Sequence, residues 1–145
     1  MAWSGKGKRG FWRALAAGRG GVAIVEFALV APIFLLMLLG IIAYGGYFWR
    51  AHSLQQIAND AARASIAGLT AAEREALARA AVRSELAALT GLRPDSAVVG
   101  VSEASDTLLV TLDYDAKQDI FFHLAPVPMP APLIRRTAAV RLGGL

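Results

Sequence analysis

The chain has 145 residues, 56% of them hydrophobic and 18% charged, with a mean hydropathy of +0.48, a balance too apolar for a soluble domain of this size. The net charge of +4 is local: Lys6, Lys8, Arg9, Arg13 and Arg19 give residues 1–21 a charge of +5, Glu26 subtracts one, and residues 50–145 set ten basic against ten acidic groups. That neutral, interleaved remainder lacks the footprint of a nucleic-acid binder, and the absence of cysteine excludes disulfides, thiolate metal sites and cysteine nucleophiles.

Residues 1–21 read as a basic, glycine-rich leader. The following 28 residues, Val22 to Trp49, contain one carboxylate, Glu26, and Phe27 to Trp49 is an uncharged run of 23. About 20 apolar residues cross a hydrocarbon core of roughly 30 Å, so 22–49 is predicted to be a transmembrane helix. Five basic residues precede it and only Arg50 closely follows, which predicts a cytoplasmic N-terminus, a single pass through the membrane and an exported domain over 50–145. The run is too long for the apolar core of a secretory signal, so the segment is expected to be retained.

No breaker separates the span from AHSLQQIANDAARASIAG, in which Leu54, Ile57, Ala58, Ala61 and Ser65 share one face. This predicts a helix over about 50–67 continuous with the span. Thr70-Ala71-Ala72-Glu73 is a capping-box pattern that starts a second helix over about 71–90, with Ala78, Val82, Leu86 and Leu89 on its apolar stripe and Gly91 as its stop. After Pro94 the period becomes two. Strands are predicted at about 97–103, 107–114 and 134–142, the first two as a hairpin through Ala-Ser-Asp. Pro126, Pro128, Pro130 and Pro132 exclude helix and central strand between them, leaving an extended connection, and Gly143-Gly144 is expected to fray. The fold class is α+β: a long N-terminal transmembrane and amphipathic helix, a second helix and a small antiparallel sheet of about three strands.

Glu26 is the residue with most to explain. An acid near the centre of a span costs roughly 2.5–3.5 kcal/mol on insertion scales. One reading is a membrane-edge carboxylate that snorkels to the headgroups. The other follows from cleavage between Gly21 and Val22, which would free an α-amino group four residues from Glu26; in a bundle of parallel helices that carboxylate pairs with a neighbour's amine and sets the stagger between subunits. Pro32 removes a backbone N–H and kinks the span, and Gly40, Gly45 and Gly46 allow close helix approach. Tyr44, Tyr47, Phe48 and Trp49 form an aromatic belt at the exit interface.

Catalysis is not expected. His52 and His123 stand in no ligand spacing, and no nucleophile elbow, phosphate loop or dinucleotide fingerprint is present. Asp113, Asp115 and Asp119 lack a calcium-loop pattern and read as a solvated strand edge and loop, and no cofactor or metal is called for.

Gly20 to Ser65 resembles the TadE-like proteins of bacterial tight-adherence (Flp-type IVb) pilus systems. The resemblance lies in the basic leader, the junction Gly21 to Phe27 with Glu26-Phe27, the run Ala28-Leu29-Val30-Ala31-Pro32, the apolar span, and a post-span helix ending Ala58-Asn59-Asp60-Ala61-Ala62-Arg63. It implies a minor pilin-like (pseudopilin) component acting through subunit contacts in the membrane and periplasm. Gly21 and Val22 would flank the cut of a prepilin peptidase, Glu26 and Phe27 would act in assembly, and Pro32 would permit local melting as subunits leave the bilayer. The implied partners are other pilin-like subunits, inner-membrane assembly proteins, the peptidase and lipid. Ala43-Tyr44-Gly45-Gly46 departs from the family, which often has an acid and Gly-Arg there. An uncleaved anchored adaptor of the same machinery, and an envelope-anchored binding domain unrelated to pili, remain as alternatives.

Overall fold

A computed structural model describes residues 19–124 and 127–142. The leader up to residue 18 and the expected fraying at Gly143-Gly144 lie outside the described residues. Helix α1 runs from Arg19 to Ser65, α2 from Ala71 to Ala88, a 3-10 turn from Pro94 to Ser96, strand β1 from Ala97 to Ala104, β2 from Thr107 to Asp115, a short helix α3 from Ile120 to Leu124, and β3 from Leu133 to Arg141. The sheet is antiparallel in the order β1-β2-β3. This is the α+β arrangement expected from the sequence, with α3 and the 3-10 turn added.

The chain divides into two compact units, residues 1–39 and Gly40–Leu145. In the first, α1 presents apolar side chains on all sides: Val22, Phe27, Ile33 and Met37 are all more than three-fifths exposed. Among the described residues, one helix is long and apolar enough to cross a membrane. Val22 to Ile42 alone, 21 residues, reaches about 31 Å at 1.5 Å per residue, enough to cross the hydrocarbon.

The second unit packs one helix stripe against one sheet face. Leu54, Ile57, Ala58 and Ala61 of α1, the face read from the 3.6-residue period, are fully or almost fully buried. They share a core with Ala78, Val82 and Leu86 of α2 and with Leu108, Val110, Leu112, Tyr114, Ile134 and Ala138 of β2 and β3. The period-two alternation of β2 is therefore the inward face of the sheet. At the start of α2 the capping box is formed: Glu73 N donates to Thr70 Oγ1 at 3.2 Å while Glu73 Oε2 accepts from Thr70 N at 3.1 Å and Leu69 N at 2.8 Å. Those donors hold the Glu73 carboxyl below its ordinary value. Helix α2 gives way at Leu89, which is extended, and the left-handed turn falls on Gly91 at φ +90°, a conformation glycine adopts at no steric cost. The β1–β2 turn instead places Ser105 at φ 54°.

Packing in this unit begins at Gly40, before the domain boundary at residue 50 read from the charge pattern. Ala43 is fully buried and Arg50 is 6% exposed, and Phe121, Phe122 and Pro128 lie against this part of α1.

Candidate membrane and assembly surface

Gly21, Val22, Glu26, Phe27 and Pro32 all lie on α1, in the unit over residues 1–39. The helix starts at Arg19, so the Gly21–Val22 peptide is already helical. Val22 and Glu26 are one turn apart and share a face, and Glu26 and Phe27 are both exposed. Glu26 is the one carboxylate among the exposed apolar side chains from Val22 to Ile42. Pro32 stands inside the helix without ending it. A proline leaves the carbonyl four residues earlier without its helical donor, which makes this the weakest point of the hydrogen-bond ladder in the span.

The four aromatic residues read as one interfacial belt divide into two pairs. Phe48 and Trp49 are exposed, at 63% and 47%. Tyr44 and Tyr47 instead belong to the packed unit: the Tyr44 hydroxyl donates to the Pro128 carbonyl, and the Tyr47 ring meets Phe122 edge-on with centroids 6.2 Å apart. A tyrosine hydroxyl that reaches a backbone carbonyl satisfies its own polarity, which lets its ring sit at an apolar boundary.

Arg50 and Asp119 correct the sequence reading. Asp119, expected in a solvated loop, is 6% exposed, and its Oδ2 lies 2.6 Å from Arg50 Nε. Arg50 Nη2 donates to the Gly91 carbonyl at 2.9 Å, and the guanidinium stacks 4.7 Å from the Phe121 ring centroid. Burial pushes the Asp119 carboxyl above its ordinary value, and Arg50, Arg93 and the Tyr114 hydroxyl only partly offset it. Nothing in the sequence spacing joined residues 69 positions apart. Asp113, also placed in the solvated set, pairs with Arg135 directly across the β2–β3 ladder at 2.6 Å, which lowers its carboxyl. His52 and His123 are exposed, and no cluster of three or more candidate metal ligands occurs among the described residues.

This geometry defines a protein with one exposed apolar helix, an acid near the start of that helix, and a small α+β unit built around its C-terminal half. Residues 21–63 match the sequence model of a family described as TadE-like protein. The match covers the helix from the expected cut site to the last turn before Ser65, the stretch in which the resemblance was found, and it suggests a place in tight-adherence pilus machinery. No curated protein and no solved structure matches the chain.

Proposed function

We propose that the protein is a minor pilin-like component of a tight-adherence pilus or a related secretion assembly, anchored in the inner membrane with its α+β unit in the periplasm. The observation that carries this reading is the TadE-like match over residues 21–63, which includes the apolar run Val22–Trp49 whose one acid is Glu26. Function then lies in contacts rather than in catalysis. A prepilin peptidase cutting after Gly21 leaves a cation at Val22. Glu26 of one subunit neutralises the amine of the next, and each removes a charge that lipid disfavours. Phe27 and the apolar faces around it supply the helix packing, and Pro32 provides a weak point in the helix for extraction from the bilayer.

A second reading, an uncleaved anchored adaptor of the same machinery, is favoured by the helical state of the Gly21–Val22 peptide, since proteolysis requires that turn to open. Glu26→Ala tests the pairing. The variant is expected in membranes at normal level but absent from assemblies, and pilus formation at the wild-type level would remove inter-subunit charge pairing from the account.

A further inference from the structure

Two uncharged stretches of the sequence meet at one ion pair. Arg50 is the first charged residue after the run Phe27–Trp49, and Asp119 is the last one before Ile120–Ile134, a run of 15 residues without Asp, Glu, Lys or Arg. The two charges neutralise each other at 2.6 Å.

From that pair the second run travels back along the first. A Cβ on Gly46 would stand 2.6 Å from the Phe121 ring, Tyr47 meets Phe122, Tyr44 reaches Pro128, and a Cβ on Gly40 would lie 4.0 Å from Val127. Arg50 to Gly40 is ten residues, about 15 Å along the helix axis.

We infer that Ile120–His123 and Val127–Pro130 form a second membrane contact, seated in the headgroup and upper acyl region of the bilayer beside the exit of α1. The occupant of this surface is lipid. Continuity with the span argues for it, because Gly40 and Tyr44, on which the segment lies, belong to the uncharged run itself. The exposed side chains agree: Ile120 is 61% exposed and Val127 36%, and on this part of α1 Ile41 is exposed at 60%, Ile42 at 46% and Phe48 at 63%. Backbone chemistry is the third argument. Four alternate prolines remove N–H donors that lipid cannot satisfy, the Pro128 carbonyl accepts the Tyr44 hydroxyl, and the Pro132 carbonyl accepts Ala116 N at 2.9 Å. A segment in which every second residue lacks an N–H and none is charged is suited to an interface where an ordinary polar loop is not.

This inference rests on the reading of α1 as a membrane span, and the experiment separates the two. The chain has no cysteine, so single cysteines carry a spin label without background. Full-length Ile120→Cys and Val127→Cys are compared in phosphatidylethanolamine–phosphatidylglycerol vesicles with Ile33→Cys in the span and Ala139→Cys on the exposed outer face of the sheet. Collision with oxygen and with a water-soluble nickel chelate is read for each. The expected result is chelate accessibility at 120 and 127 severalfold below that at 139, with oxygen accessibility approaching that at 33. Labels at both positions as open to the chelate as 139 overturn the inference while α1 remains in the membrane. Labels shielded from both probes also overturn it, since protein rather than lipid then covers the surface. Chelate access at 33 overturns both readings together.

Discussion

Arg50 and Asp119 form a buried ion pair that joins the C-terminal half of the long helix to the segment entering α3. Charge attraction does not by itself make such a pair stabilising. The Asp119 carboxyl is raised, so the cost of burial exceeds what Arg50 returns, and Arg50 Nη1 has no hydrogen-bond partner among the described residues. Removing one partner is a different matter, because it leaves the other charge buried alone. Asp119→Asn is expected to destabilise the protein by about 3–5 kcal/mol, whereas Arg50→Met with Asp119→Leu is expected to lie near the wild type. Thermal unfolding of the full chain in detergent micelles, followed by circular dichroism, distinguishes the two variants.

Adjacent glycines in α1 are expected to respond with opposite signs. A Cβ at Gly45 meets nothing within 4 Å, so Gly45→Ala gains helix propensity, up to about 1 kcal/mol. A Cβ at Gly46 stands 2.6 Å from the Phe121 ring, so Gly46→Ala must displace that ring and the Arg50 guanidinium stacked on it. Overpacking of this kind costs about 1–3 kcal/mol and outweighs the propensity gain. The same unfolding measurement reads both variants.

The carboxylates divide by the sign of their pH dependence. Asp113 is lowered by hydrogen bonds from Arg135, so its contribution is complete above the unfolded value of 3.8 and is lost as pH falls through the lower folded value. Glu85 is raised by burial and by Asp60, so its ionisation opposes folding, a penalty absent below the unfolded value of 4.5 and complete above the raised folded value. Asp113→Asn is therefore expected to lower stability at neutral pH and flatten the acid limb of the stability curve. Glu85→Gln is expected to be more stable than wild type at neutral pH and to converge with it below pH 4.5. Urea unfolding at a series of pH values measures both slopes.

Helix α2 depends on its N-terminal cap. Thr70→Ala removes the side-chain acceptor for Glu73 N and is expected to cost about 1 kcal/mol. Thr70→Ser keeps that acceptor and is expected to stay within a few tenths of wild type. Amide hydrogen exchange over the first turn of α2 reports the local loss directly.

Periodicity carried most of the fold. Leu54, Ile57, Ala58 and Ala61, and the β2 face Leu108, Val110, Leu112 and Tyr114, are buried as their spacing required, because a one-sided helix or strand has one arrangement that removes its apolar side chains from water. The Thr70–Glu73 box was equally legible, being a local hydrogen-bond exchange. Three features were not. Helix α3 has five residues, too few to show a period. The Arg50–Asp119 pair joins residues 69 positions apart, which a local pattern cannot express. The role of Tyr44 and Tyr47 in packing was hidden because the same aromatic residues also satisfy the rule for a membrane interface. On the helix surface, sequence marked Glu26 by its charge within an apolar run and by its place four residues after Val22.

The central claim is that this chain is a pilin-like subunit whose span begins life behind a removable leader. Intact mass and N-terminal sequencing of the protein from membranes of its native host, with and without the prepilin peptidase, test it most directly. The account predicts a mature chain beginning at Val22 only when the peptidase is present. An intact leader under both conditions contradicts it, leaving a signal-anchored adaptor in which Glu26 has no neighbouring amine to neutralise.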